Sequence, residues 1–412
     1  MCWVAPCGSG IDSMKKIDAI FLVALLLRLG MVGVWYLAGH GSQLSYDTDG
    51  YYSIAKSLVE GKGFQLQGGP PARRPPLYPF FISLCLRLAP FPVGVQVAQA
   101  LIGGMSCLLL FGIGKEMFGE KTGLLASGLM TLDYVSIRQT VSVLVETVFT
   151  FLLLTSLYFL MKAQREGKKR WFVGAGVAGG LALLTKDVLV YYFPFVAFGL
   201  LFKNKSGKLG FSAAVTFLLS LFLVIAPWCL RNSLVYRRPV LITVISGQSF
   251  YSGNNPKTTV NPSSPNWIVG DDYFYPQDPN EPPLGSYEAN RYYFKKGIEF
   301  IRSHPRRFLE LAGRKVIKMW RPFYSDLPLF TQSLSILIYL PTMIFGLLGI
   351  FGSRNRWGEF YPVLWLPVYL FLVHAVTIAD VRYRYPAIPF LMVFAADAML
   401  RTLSYRSARS AA

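Results

Sequence analysis

Two carboxylates stand one residue apart in Asp47-Thr48-Asp49-Gly50-Tyr51-Tyr52. Two acids at i and i+2 can activate a nucleophile by taking its proton, or can share a divalent cation. Either acid can equally serve as the N-cap of a following helix. Further charges fall where an apolar chain should have none: Arg73, Arg74, Arg138, Glu146, Lys186, Asp187, Arg231, Arg382 and Arg384. Ionisable groups beside or within apolar spans are costly and mark pathways or sites. Several cations with a few carboxylates at one interface can hold an anionic lipid head group. Taken singly, each charge can also snorkel to water or pair with a neighbour.

The elements that must position these residues are membrane spans. The chain has 412 residues, of which 53% are hydrophobic and 15% charged, and its mean hydropathy is +0.40. A soluble domain carries about 25% charged residues, so this balance argues against both a soluble globular protein and a disordered one. Ten apolar segments read as spans: 17–38, 92–113, 122–132, 141–161, 171–184, 189–202, 209–230, 329–351, 360–378 and 386–403. Leu77–Leu88 is apolar but short and bounded by prolines, and reads as an interfacial helix. After the acid pair, Tyr51, Ile54, Ala55 and Leu58 share one helical face, which suits a helix lying on the membrane. The fold class expected is an all-α polytopic membrane protein.

Lys and Arg in short loops set the orientation. With the N-terminus inside, every inner loop carries at least two basic residues, including Lys162, Arg165, Lys168, Lys169 and Arg170. The outer segments are then 40–76, 133–140, 185–188, the long region 231–326, and 379–385. The acid pair and the out-of-place charges gather on that outer side. The net charge of +19 is thereby read as topology, with no nucleic-acid partner. Within the long region, 254–283 reads as ordered loop. Residues 287–320 read as helix, capped by Ser286 and interrupted at His304-Pro305. Met1–Ser13 resemble neither a signal peptide nor a span; Met14-Lys15-Lys16 looks like the better beginning. The five Cys and three His have no spacing that reads as a disulfide framework or metal site.

The order of motifs resembles the GT-C membrane glycosyltransferases, specifically glycosyltransferase family 39, which includes protein O-mannosyltransferases and the lipid A aminoarabinose transferase. The resemblance rests on Asp47-x-x-x-Tyr51 and Gly61-Lys62-Gly63-Phe64. It continues through Arg74-Pro75-Pro76-Leu77-Tyr78-Pro79, Leu144-Val145-Glu146-Thr147 and Leu184-Thr185-Lys186. Pro227-Trp228, Arg231-Asn232, Gly253-Asn254-Asn255-Pro256, His304-Pro305, Lys315 to Pro322 and Arg382-Tyr383-Arg384-Tyr385-Pro386 complete it. It implies a GT-C fold with about ten spans, interfacial helices in the first outer loop and a large outer loop with helices. Three parts follow: a transmembrane catalytic module (1–230, with its first outer loop at 40–91), a large outer loop (231–326) and C-terminal transmembrane helices (327–412).

The resemblance also implies the chemistry. The donor would be a polyprenyl-phosphate sugar. Transfer would proceed with inversion at the outer, periplasmic face of a bacterial plasma membrane, onto a glycolipid, glycan or protein acceptor. Asp47 takes the place of the base, while Asp49 is displaced by one residue from the second acid of the lipid A enzyme. Glu146 matches a second acidic position. Arg74 matches a cation that contacts the lipid phosphate, with Lys186, Arg382 and Arg384 as further phosphate contacts. Tyr51, Arg73, Arg138 and Tyr383 are the expected substrate contacts. No cofactor is certain; a divalent cation (Mg or Mn) stays open, since the relatives differ. A sugar phosphate already carries a good leaving group, so fixed cations and one base suffice, unlike glycoside hydrolysis with its two carboxylates. The competing readings are a transporter or flippase, which would need charges at mid-membrane and paired halves, and a non-catalytic binder of lipid-linked sugars. Arg28 is the main charge inside a span. Single cysteines within 162–170 should resist a membrane-impermeant thiol reagent applied from outside, whereas those within 254–283 should react; the opposite pattern inverts the site assignment.

Overall fold

The computed structural model describes residues 8–39, 50–66, 74–202, 208–260, 281–283, 285–323 and 328–410. Its helices are α1 (Gly8–Leu37), α2 (Tyr51–Val59), α3 (Leu77–Leu88), α4 (Val93–Phe118), α5 (Glu120–Leu132), α6 (Tyr134–Gln139), α7 (Glu146–Glu166) and α8 (Lys169–Thr185). They continue with α9 (Tyr192–Phe202), α10 (Lys208–Tyr236), α11 (Ser246–Ser252), α12 (Tyr287–Ser303), α13 (Pro305–Met319), α14 (Leu329–Gly352), α15 (Trp357–Val376) and α16 (Ile388–Ser410). No strand occurs among the described residues. The fold is all-α and polytopic, as the composition requires.

Among the described residues, seven helices are long and apolar enough to cross a membrane: those within α1, α4, α7, α10, α14, α15 and α16. The other three expected spans are helices, but short ones. α5 has 13 residues, α8 has 17 and α9 has 11. At about 1.5 Å per residue, 13 residues cover roughly 20 Å of a hydrocarbon layer about 30 Å thick. Exposed Leu22, Leu26, Leu219, Leu223, Leu337 and Leu348 are suited to lipid contact.

Small residues let the helices approach closely, as bilayers favour. α4 and α5 form a tight hairpin across Gly119, whose φ of 103° excludes most side chains. In it a Cβ at Gly123 would lie 2.5 Å from the Phe111 carbonyl oxygen. α8 meets α10 at Gly176, where a Cβ would lie 2.4 Å from the Phe217 carbonyl, and α14 meets α16 at Gly349 in the same manner.

One end of the bundle gathers the short elements. α3 begins after Pro75-Pro76, and α2 packs on α3. α2 buries Tyr51, Ile54, Ala55 and Ser57, so Ser57 takes the place expected for the half-buried Leu58. Ser286 caps α12 by accepting from the Ala289 amide at 3.0 Å, and the chain breaks at His304 before Pro305 opens α13. Most of the expected loop at 254–283, residues 261–280, lies outside the described residues. Overpacking costs about 1–3 kcal/mol, so Gly123→Leu should lower the thermal unfolding midpoint in detergent. Gly128→Ala, with nothing within 4 Å of the added carbon, should not.

Candidate functional site

The span expected to start at Val141 starts instead at Glu146. Asp133 ends α5 in an extended conformation and caps α6, its Oδ2 accepting from the Ser136 amide at 2.8 Å. Residues 140–145 then run without regular helix, and their carbonyls need donors in an apolar bundle. Two glutamines on α4 supply them. Gln96 Nε2 donates to the Val141 carbonyl at 2.9 Å, and Gln99 Nε2 donates to those of Thr140 and Ser142, each at 2.9 Å. Gln99 Oε1 accepts from the Tyr78 hydroxyl of α3 at 2.9 Å. Glu146 is thereby set at the first position of α7, where the helix N-terminus favours a carboxylate.

Glu146 is 1% exposed. Its Oε1 lies 3.2 Å from Lys186 Nζ and 4.0 Å from Arg382 Nε. Lys186 stands in extended backbone where α8 ends. Arg382 stands on a 3-10 turn, Val381–Arg384, which Asp380 caps by accepting from the Arg382 amide at 3.1 Å. Tyr383 lies under both cations: Lys186 Nζ is 4.3 Å and Arg382 Cζ 5.3 Å from its ring centroid. Cation–aromatic contacts at this range are attractive. His374 of α15 stacks on Tyr383 with centroids 4.5 Å apart, its Nδ1 2.9 Å from the Ile378 carbonyl oxygen. The second carboxylate oxygen of Glu146, Oε2, is buried and meets no hydrogen-bond partner among the described residues. Two cations and one carboxylate leave this cluster net positive, with an acceptor atom to spare.

Beside it, Arg74 lies over the Tyr51 ring at 5.4 Å, and Tyr51 meets Tyr78 edge-on at 5.2 Å. These tyrosines pack with Val143, Val145 and Val148, so the Arg74 side chain sits on the same flank as Glu146. Arg138 lies over Trp35 at 5.9 Å. Arg384 goes elsewhere. It is 1% exposed, donates to the carbonyls of Arg321 and Pro322, and lies 4.0 Å from the Tyr339 ring centroid. Asp47, Asp49 and Arg73 lie outside the described residues. Among the described residues no group of three or more His, Cys, Asp or Glu is placed to hold a metal ion.

The structure thus brings Glu146, Lys186, Arg382 and Tyr383 together, with Tyr51 and Arg74 alongside. His374, Gln96 and Gln99 were not singled out from sequence. The two glutamines, i and i+3 in an apolar helix, were the available signal.

Residues 73–231 match the family model described as Dolichyl-phosphate-mannose-protein mannosyltransferase. A Bacillus subtilis (strain 168) relative, "Putative mannosyltransferase YkcB", is 30% identical over 136 residues, which are 32% of this chain and 19% of that one. An uncharacterized Aquifex aeolicus (strain VF5) protein is 25% identical over 237 residues, 55% of this chain and 46% of that one. The chain therefore spans less than half the length of either relative. The apo crystal structure of the Archaeoglobus fulgidus oligosaccharyltransferase superposes with a TM-score of 0.53 at 13% identity, over 97% of this chain and 52% of that one. The same archaeal enzyme, AglB, in complex with an inhibitory peptide and a dolichol-phosphate, gives 0.50 at 13% identity, over 96% and 52%. The fold is that of the GT-C membrane glycosyltransferases.

Within this GT-C fold, Lys315 of α13 joins the short helices to α15. It is 1% exposed and donates to Asn254 Oδ1 at 3.2 Å; Asn254 Nδ2 in turn donates to the Val376 carbonyl at 2.7 Å. Burial holds the Lys315 ammonium down to about 7 from its ordinary 10.5. Between those two values the unfolded chain keeps a proton that the folded chain has released, so this burial cost, full below about 7, fades as pH rises through the window. The thermal midpoint of the wild type relative to Lys315→Met should therefore rise between about pH 6 and about pH 9, and a pH-independent difference would refute the shift.

Proposed function

We propose that the chain is an inverting glycosyltransferase that moves a sugar from a polyprenyl-phosphate carrier to a hydroxyl or phosphate-type acceptor. In this reading it works at the extracytoplasmic face of a bacterial plasma membrane. The observation that carries the proposal is the buried Glu146 with the half-buried Lys186 and Arg382 above Tyr383, on the flank that also holds Arg74. The match of residues 73–231 to a dolichyl-phosphate-mannose-dependent family supports the donor class, since that segment contains Arg74, Glu146 and Lys186. The three-part division is proposed with it: catalytic module, outer loop and C-terminal helices.

The chemistry follows from charge. The acceptor oxygen attacks the anomeric carbon as the bond from that carbon to the phosphate oxygen breaks. The phosphate leaves with the bonding pair and gains negative charge. Lys186, Arg382 and Arg74 stabilise that charge where it develops. Glu146 holds the two nearer cations in place, which water would not do. Asp47, assigned by resemblance, takes the proton from the acceptor hydroxyl. The anchor of the donor is lipid, so it reaches the cluster along the bundle surface, while the sugar remains on the aqueous side.

Purified full-length protein should transfer radiolabelled sugar from native polyprenyl-phosphate sugars. Asp47→Asn should lose about 10²–10⁴-fold in rate, remain folded and keep donor binding. Lys186→Met and Arg382→Gln should weaken donor binding as well, because each charge-assisted bond contributes about 1.5–3 kcal/mol. A fully active Asp47→Asn would remove Asp47 as the base. Wild-type protein that moves lipid-linked sugar across a bilayer without transferring it would overturn the enzyme reading.

A further inference from the structure

Arg28 lies near the middle of the apolar span Lys15–Leu37 within α1 and is fully buried. Its guanidinium is committed on one edge. Nη1 donates to the Ala24 carbonyl at 3.0 Å. Nη2 donates to the Ser136 hydroxyl at 2.8 Å and reaches the Met130 carbonyl at 3.5 Å. The Ser136 hydroxyl is in turn 3.3 Å from the Tyr385 hydroxyl. Room for the side chain comes from α4: a Cβ at Gly103 would fall 2.6 Å from Arg28 Nε and 2.9 Å from its Cδ. The Asp133 carboxylate and the Arg384 guanidinium complete the charged surroundings.

The two ends of this relay belong to the candidate site. Ser136 is on α6, the helix directly before the glutamine-held segment that ends at Glu146. Tyr385 follows directly on the 3-10 turn that carries Arg382 and Tyr383. α6 and the turn at 381–384 come from distant parts of the chain, and Arg28 with Ser136 and Tyr385 forms a polar bridge between them. An arginine that only balanced charge would need one carboxylate. Arg28 instead binds two carbonyls and a hydroxyl on three helices, which fixes geometry. A cation buried in a membrane bundle is expensive, and nothing in the packing of α1 against α4 requires one.

We propose that Arg28 is the positioning residue that sets the Glu146 segment against the Arg382–Tyr383 turn. The inference rests on the proposed function only for its kinetic consequence; the distance between the two segments is independent of it. Displacing a reacting group by about 1 Å from its partner can cost about 10²-fold in rate. Arg28→Met should therefore slow transfer by about that factor while the donor KM moves far less, because the cations remain. Ser136→Ala and Tyr385→Phe remove one hydroxyl each and leave the fold, and should act in the same direction with smaller effect.

The test has two arms on full-length protein. In the first, spin labels at Leu144, two residues before Glu146, and at Val376, the end of the helix that leads into the 381–384 turn, report the distance between the two segments. Arg28→Met, Ser136→Ala and Tyr385→Phe should each broaden or shift the distribution relative to wild type. An unchanged distribution in all three overturns the proposal. In the second, Ser136→Ala and Arg28→Met are combined with Glu146→Gln. A residue acting through the Glu146 geometry should cost little more in that background, whereas independent effects add to within about twofold. Additive losses overturn the proposal, and so does a kcat unchanged in a folded Arg28→Met. If wild-type protein transfers no sugar, the proposed function fails, and the label distances still decide whether Arg28 positions the two segments.

Discussion

A helix that stops inside an apolar bundle leaves carbonyl oxygens that no water can reach, and each must find a donor. The chain meets this constraint between α5 and α7, and the candidate site depends on how it is met. Gln96 and Gln99 cover the carbonyls at 140–142. Gln99 draws in Tyr78 and with it α3. Without those bonds α7 would have no fixed starting point, and Glu146 would not be held at its first turn. The same glutamine therefore ties the segment after α2 to the segment before α7, which is how Arg74 and Glu146 come to share a flank.

The charges obey a second constraint. A buried carboxylate with one cation is commonly no better than a packed apolar pair. Glu146 has two cations, and an aromatic ring lies beneath both. Such a group is poorly explained by stability alone. It keeps two positive side chains close together against their repulsion, and an acceptor atom, Oε2, meets no partner among the described residues. An arriving phosphate would relieve the excess positive charge without having to order the cations first.

The spans were legible because apolar length is a coarse signal: every segment read as a span is a helix. Three of them are short for a full crossing, a matter of length that hydropathy alone does not settle when Gly interrupts the apolar run, as in α5 and α8. The start of α7 was misread for the same reason. Val141, Val143 and Val145 look like more span, yet Val143 and Val145 pack on the tyrosines of α2 and α3. Of the site, the charges were legible because they violate hydropathy. Which of them converge was not. Lys186 and Arg382 meet Glu146, whereas Arg384, two residues from Arg382, turns to the carbonyls of Arg321 and Pro322. Neighbours on a 3-10 turn point in different directions, and no sequence pattern marks which one faces the cluster. His374 was invisible because a single histidine in an apolar helix has no periodic signature.

Arg28 was the sequence feature that most favoured a transporter, since a charge at mid-span is what a moving ion pathway needs. Its surroundings argue the other way. A cation that serves transport must exchange partners between two states, with water or substrate replacing one set. Arg28 is fully buried, bound to backbone carbonyls of α1 and α5 and to a hydroxyl on α6, and wedged against Gly103. Releasing it would take a donor from the Met130 carbonyl and from the Ser136 hydroxyl and open a void beside α4, both costly in an apolar bundle. The cations nearest to solvent around Glu146 are Lys186, 17% exposed, and Arg382, 20% exposed. A charge locked in the span and charges accessible at the end are what a fixed scaffold for surface chemistry requires, and they are the reverse of what alternating access requires.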